Sequence, residues 1–546
     1  MDLFKFKNSR VLLFFLFGSI IFFQGIFLIP VLDRDEARFA TATKNMIETG
    51  DYLDIELEGV KRYKKPIGIY WAQAITTKVF GSEPYNQIWT YRLPSYLGIL
   101  LSIFFIFFST KKLYGNQIAK TSIFLLSCSL LLILEMHQAK SDALLFLCIN
   151  ICNFFVLDAI KTNNQRYSQK RILIFWVFFA IGTLIKGPII FLFVLLPISI
   201  FCLFISSKNL KSFFKNKYGY LLYFLIVLPW FILITIKSNW LFWQESVGHD
   251  LLKKVVSSQE SHGFPPGYYF ISLYLFFWPG CVYFLAIIKK YFYKIKQLTI
   301  KQETFFLICI IFPPLLIFEL IPTKLPHYIL PIYPALSILI SSYLNENIKN
   351  TSLLMKKSNL VFFLIFPTII VLTYSYAVNE FSVLSFYYFI VIGLFLLIIS
   401  VSVYFYIKKN IKYFIITIVV FQTLNYFCIV HFLNPNLEKF WIAKKISIYS
   451  ESFDDYEIYH YGFNEPSLVF MLGHKSKRIN PNEIKKIIKE NRKSLFFISG
   501  DEGKNIFTLS EKEENFSFID KFKGYNYSQG KYIPTYIFTS YGPYEK

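Results

Sequence analysis

The sequence predicts a mainly α, polytopic membrane protein of about thirteen transmembrane helices that carries a small α/β domain at its C-terminal end. Three observations predict it. Apolar runs close to the ~20 residues that cross ~30 Å of hydrocarbon as a helix recur from Val11 to Leu433. The short turns between them alternate between Lys-rich and Lys-poor. Beyond Asn434 the runs stop, and short alternating segments with turn residues take over.

The runs at 11–30, 94–108, 118–134, 143–159, 189–205 and 268–288 are representative. Lys5, Lys7 and Arg10 precede the first, Lys111 and Lys112 follow the second, and Lys161, Arg166, Lys170 and Arg171 follow the fourth. Further basic clusters fall two spans apart at 208–217, 289–301, 349–357 and 408–412. This positive-inside pattern places the N-terminus in the cytoplasm and the other loops outside. The first run is long, lacks a small-residue cleavage site and continues into Asp33-Arg34-Asp35, so it is expected to remain as an anchor.

The 546 residues are 55% hydrophobic and carry a net charge of +22. In a soluble domain that charge would suggest nucleic acid, but here most of the excess sits in predicted cytoplasmic turns, where it orients helices against anionic lipid. Nucleic acid is therefore not an expected partner; membrane lipids are. All seven cysteines fall in predicted spans, which excludes a disulfide framework outside. Cys148 and Cys152 share a helix face without any His or carboxylate, and read as small packing residues.

Three stretches interrupt the span–turn rhythm. The outer loop at 31–91 is long enough to imply a role of its own. Within it Asp35 is placed to cap a helix over 36–49, with Gly50 following and Phe39, Thr43, Met46 and Ile47 in one stripe. A second apolar helix over 67–80 is too short to cross and should lie in the interface. The medium outer loop at 237–267 holds His249 and His262. The tail, 434–546, reads as an outer domain with strands at 457–463, 467–472, 494–499 and 535–540 and a helix over 481–493 capped by Asn480. The domains are thus expected at 1–433 and 434–546.

Polar residues gather on the predicted outer face. Asp35 and Glu36 emerge directly from the first span; they suit proton abstraction or sugar orientation, and equally a helix cap and dipole partner. Asp142 lies at the mouth of the fourth span, where an acid needs solvent or a partner, near Lys140. Lys65, Lys186, Lys324, His262, His327 and Tyr328 add cations, titratable rings and a phenol on the same face. Cations there would stabilise a phosphate leaving group as its charge develops, while an acid positions or deprotonates the acceptor. Nucleotide sugars are cytoplasmic, so an outward-facing transferase would use a donor carried on a lipid. A flippase without chemistry would instead favour polar groups near mid-membrane on broken helices.

The ordered set Leu32-Asp33-Arg34-Asp35-Glu36-Ala37-Arg38, Lys65-Pro66-Ile67-Gly68, Arg92-Leu93-Pro94-Ser95, Ser141-Asp142-Ala143-Leu144, Leu184-Ile185-Lys186-Gly187-Pro188, His262-Gly263-Phe264-Pro265 and Lys324-Leu325-Pro326-His327-Tyr328 resembles the GT-C glycosyltransferases, in particular the aminoarabinose–lipid A transferases and protein O-mannosyltransferases. The resemblance implies a GT-C fold in the bacterial inner membrane with the site and tail periplasmic. It implies an inverting transfer of a hexosyl or pentosyl group from a polyprenyl-phosphate sugar to lipid A or another glycolipid, or alternatively to a protein hydroxyl. Carried over by motif, Asp35, Glu36 and Asp142 are the expected catalytic acids. Arg38, Lys65, Lys186, His262, Lys324, His327 and Tyr328 are expected around the donor phosphate. Relatives often carry an acid where this chain has Lys64 before Lys65-Pro66, which speaks against a divalent metal held there and adds a positive charge instead.

Overall fold

The computed structural model describes residues 22–540 apart from 163–166, 258–262, 382–385, 454, 474–475, 491, 511–512 and 514. Lys5, Lys7, Arg10, Arg166, His262 and residues 11–21 of the first predicted span lie outside the described residues. Among the described residues eight helices are long and apolar enough to cross a membrane: Ile88–Tyr114, Asp142–Lys161, Lys217–Lys237, Gln302–Leu320, Pro326–Glu346, Lys357–Phe381, Tyr388–Ile407 and Ile411–Asn436. Gln169–Lys186 and Ile189–Phe204 stand among them as further apolar helices. The chain is a multi-pass membrane protein. Of the apolar stretch in Asp142–Lys161, 83% is buried, against 22% for Lys217–Lys237, so the first is the axis of the bundle and the second a lipid-facing rim. Phe146, Ile149, Phe193, Phe318 and Tyr333 knit the axis to its neighbours.

Two predicted spans are broken. The run at 118–134 divides into Asn116–Ser127 and Leu130–Met136, which meet at 66°. Ser129 sits at the break and its hydroxyl donates to the Phe276 carbonyl at 2.7 Å, compensating backbone and side chain where the ladder stops. The run at 268–288 divides into Tyr268–Phe276, a 3₁₀ turn Gly280–Tyr283 and Phe284–Lys296. Pro279 lacks the N–H that a continuous helix needs, and the buried Trp278 indole donates to the Phe363 carbonyl at 2.9 Å. Apolarity alone therefore overstated both runs as single crossings.

The loop at 31–91 contains both predicted helices, Asp35–Thr49 and Gly68–Phe80. Gly50 ends the first in the left-handed conformation at φ 73°, its N–H bonding the Met46 carbonyl. Asp35 occupies the first helical turn and does not cap it; the residue ahead, Arg34, holds φ at 69°. Thr43 donates to Gln73 at 2.8 Å, and the Phe39 and Tyr70 rings lie 5.4 Å apart, fastening the two helices. Between them Glu56–Leu57 and Val60–Lys61 form a small hairpin around Glu58 and Gly59, both with positive φ.

The tail is a five-stranded sheet in the order Ser476–Arg478, Glu457–Tyr461, Ser494–Ser499, Lys531–Ser540, Phe516–Asn526. The first two pairings are parallel and the last two antiparallel. Asn480 and Glu483 close a capping box on the helix Pro481–Lys489. The segment 467–472, expected as a strand, is instead part of the helix Pro466–Leu472. Pro466 presets the first turn, and the helix inserts Phe470 among Val31, Ala37, Ala40, Tyr91 and Ala139 of the membrane domain. The tail is thereby seated on the first loop. Tyr527 accepts from the Asp33 N–H at 2.5 Å, Arg34 donates to the Ser528 carbonyl at 2.5 Å, and Lys44 donates to the Phe470 carbonyl at 3.2 Å.

Candidate active site

The site begins with how Asp35 is held. Its neighbour Glu36 is fully buried and turned toward Arg92 of the helix Ile88–Tyr114. Arg92 donates from Nε to Glu36 Oε1 at 2.8 Å and from Nη2 to Oε2 at 2.7 Å. The remaining guanidinium hydrogens reach the carbonyls of Ile26, Ile29 and Pro30, while the Leu32 and Ala139 N–H groups complete the carboxylate. A buried, fully satisfied bidentate pair of this kind fixes geometry, and removing one partner typically costs about 3–5 kcal/mol. Glu36 thus locks the first loop to the bundle beneath Asp35 rather than facing the cavity.

The Asp35 carboxylate is about half exposed and lies 3.8 Å from Arg38. The recess raises its pKa by desolvation, but Lys140, Arg62, His327 and Arg38 outweigh that and hold the carboxylate below its ordinary value. Lys140, which leads this set, donates to Glu135 at 2.9 Å. Burial acts against the Lys140 cation, yet Glu135, Asp142 and Asp35 draw its pKa upward. His327 lies between two acids, 3.7 Å from Glu135 and 4.0 Å from Asp142. Lys186 donates to Asp142 at 2.5 Å and stands 5.8 Å over the Tyr328 ring.

These groups border a cavity lined by Lys64, Lys65, Asp142, Lys186, Asp250, Lys254, His327 and Tyr328 over an apolar floor that includes Leu145, Phe193 and Phe318. Lys65 is bonded to Asp250 of the loop at 237–267, and Asp250 also accepts from Lys254 at 2.7 Å. Burial pulls the Lys65 ammonium down to about 8 against the opposing pull of Asp250. Asp250, in turn, is held down to about 2, the two lysines outweighing its burial. Cations at a lipid-apolar floor suit an anionic headgroup on a hydrocarbon chain.

The sequence-predicted residues therefore divide. Lys65, Asp142, Lys186, His327 and Tyr328 line the cavity, and Asp35 with Arg38 adjoins it across Lys140 and His327. Lys324 does not line it. Its ammonium is buried and donates to the carbonyls of Phe318, Glu319 and Ile321 at 3.0, 2.7 and 2.8 Å, closing the C-terminal end of Gln302–Leu320. Asp250, Lys254, Glu135 and Arg62 carry charge here without having been singled out. The loop at 237–267 had drawn attention through its histidines, yet His249 is exposed while Asp250 beside it enters the cavity. The spacing of Asp250 and Lys254 by one helical turn was the available signal.

Residues 64–234 match the family of dolichyl-phosphate-mannose-protein mannosyltransferases. The undecaprenyl phosphate-alpha-4-amino-4-deoxy-L-arabinose arabinosyl transferase of Yersinia pestis (strain Pestoides F) is 25% identical over 359 residues, covering 63% of this chain and 62% of the relative. The transferase of the same name from Yersinia enterocolitica serotype O:8 is 26% identical over 343 residues, covering 60% and 58%. The chain so spans about three fifths of the curated relatives it matches. ArnT from Cupriavidus metallidurans bound to undecaprenyl phosphate is similar over 97% of this chain and 98% of its own, with a TM-score of 0.73 at 15% identity. The archaeal oligosaccharyltransferase AglB from Archaeoglobus fulgidus is similar over 97% and 74%, with a TM-score of 0.51 at 10% identity. The chain has the GT-C fold, with a small C-terminal sheet domain.

Proposed function

We propose that this GT-C protein, similar to aminoarabinose transferases, moves a sugar from a polyprenyl-phosphate donor to an acceptor at the periplasmic face of the bacterial inner membrane, with lipid A or a related glycolipid as acceptor. The observation that carries the proposal is the convergence of Lys64, Lys65, Lys186 and Lys254 on one cavity beside Asp142, with the ionised Asp35 adjoining. The cations receive the donor phosphate while the polyprenyl chain lies over the apolar floor. Asp35 stands at the sugar.

In the reaction the acceptor oxygen forms a bond to the anomeric carbon as the bond from that carbon to the phosphate oxygen breaks, in a single displacement that inverts the centre. The electron pair of the broken bond leaves with polyprenyl phosphate, whose developing charge the lysines stabilise. A phosphate acceptor is already ionised and needs Asp35 only to orient the sugar. A hydroxyl acceptor gives its proton to Asp35. Lys186 holds Asp142, and His327 links Asp142 to Glu135, so these groups shape the cavity around the leaving phosphate. Arg38 supports Asp35 by charge. The match of residues 64–234 to protein mannosyltransferases favours, as a second reading, a protein hydroxyl as acceptor.

The test uses purified protein in liposomes with undecaprenyl phosphate-4-amino-4-deoxy-L-arabinose and lipid A. Release of free undecaprenyl phosphate with a modified lipid A is the expected result, and Asp35→Asn should lower it at least ~100-fold with normal expression. Movement of intact donor across the bilayer without cleavage, or near-normal turnover in the variant, would overturn the assignment. Transfer to a Ser/Thr-containing polypeptide and not to lipid A would select the second reading.

A further inference from the structure

The loop at 237–267 places an acid where the donor phosphate is proposed to bind. Asp250 lies on Gln244–Leu252, a nine-residue stretch of π-helix that runs directly into Lys253–Val256. Its carboxylate is only 8% exposed and holds one cation on each oxygen, Lys65 on Oδ2 and Lys254 on Oδ1. Ser246, Val247 and Leu251 of the same stretch line the cavity too. The rest of Gln244–Leu252 is half-buried or exposed, and the Asp250 ion pairs tether that stretch to Lys65. π-Helical turns recur at functional sites.

We propose that Asp250 is an internal counter-ion that occupies the donor phosphate's place and competes with it for Lys65 and Lys254. The inference rests on the reading of this cavity as a donor-phosphate site. Two oxygens of one anion bridging two ammonium groups is the arrangement a phosphate monoester or diester would adopt there. Carboxylate and phosphate compete for the same two cations, because like charges a few ångströms apart in a recess of low effective dielectric repel. Donor entry therefore displaces Asp250, and the return of Asp250 helps to expel the polyprenyl phosphate product. The lysines are kept charged and preorganised between turnovers by an acid of the chain itself. Asp250 is on this account a positioning residue for donor exchange.

The experiment compares binding of undecaprenyl phosphate and of uncharged undecaprenol to the full-length protein, using the wild type, Asp250→Asn, Asp250→Ser, Asp250→Glu and Lys65→Ala. Asp250→Asn and Asp250→Ser are expected to bind undecaprenyl phosphate about tenfold more tightly, with undecaprenol unchanged and Asp250→Glu near wild type. In turnover the same two variants should lower KM and kcat together, with stronger product inhibition. Failure of the wild type to prefer undecaprenyl phosphate over undecaprenol, or equal binding by Lys65→Ala, would overturn the donor-site reading itself. If those controls behave and both neutral variants bind undecaprenyl phosphate no more tightly, or tighten undecaprenol equally, the counter-ion role is wrong.

Discussion

At the scale of single residues, neighbours in the chain carry opposite duties. Asp33, Asp35 and Glu36 fall within four positions, yet Glu36 is sealed against Arg92, Asp35 faces the cations and Asp33 meets the tail. Burial pushes the Asp33 carboxyl up to about 6, with Glu465 adding to it and contacts to Ser467 and Tyr527 opposing. For an acid raised in the folded state the native form binds the extra proton between about pH 4 and 6. Stability is then highest below that window and falls as pH rises through it. Seating of the tail should accordingly weaken by about 1–2 kcal/mol between pH 4.5 and 7.5. Asp33→Asn should flatten the profile, as read by thermal unfolding or by hydrogen exchange at 466–472; an unchanged slope in that variant would refute the account. The motif order identified Lys65, Asp142, Lys186, His327 and Tyr328 as companions; Lys65, Lys186 and His327 each stand beside a Pro or Gly that shapes the local turn. Glu36 and Lys324 were legible as polar but not as internal partners, since a sequence does not tell which carbonyls or guanidinium await them. Asp250 had no motif to mark it, and its role depends on a loop folding back over Lys65.

Among elements, helix boundaries followed their caps where local chemistry was strong. Gly50 ended the loop helix and Asn480 with Glu483 opened the tail helix, as the residues predict. Competition from tertiary contacts decided the rest. Pro466–Leu472 holds a short apolar run that reads as a buried strand, but its burial against the first loop and the proline at its start make it a helix. The strand Phe516–Asn526 escaped detection because Asp520, Lys521, Lys523 and Gly524 interrupt its apolar positions on the exposed edge of the sheet. Phe470 is the plug of the tail's seat, fully buried with its ring 5.3 Å from Tyr91. Truncating it to Ala should cost about 3–5 kcal/mol of docking energy and speed hydrogen exchange along Asp35–Thr49 without unfolding the bundle. Unaltered exchange in that helix would mean that the tail is held mainly elsewhere.

For the whole molecule, alternation of basic turns predicts which loops share a side, and the cavity brings together side chains from 64–65, 142, 186, 250–254 and 327–328. The prediction that follows is topological. With the native cysteines replaced, a cysteine introduced at the exposed Glu58 should react with a membrane-impermeant maleimide added from the periplasm. One at the exposed Gln297 should react only after the membrane is opened. Labelling of both from the same side would reverse or dismantle the assigned orientation. Of the runs read as spans, 118–134 and 268–288 proved to be broken, because hydropathy measures composition and not the continuity of the backbone.

The tail grips the helix that carries Asp35 through Thr41 and Lys44, and the residues just ahead of it through Asp33 and Arg34. A graft of the C-terminal sheet onto a related protein would consequently have to bring residues 31–49 with it. Transplanted alone, the sheet would arrive without its socket, and the recipient's acid would lose the buttress that aims it.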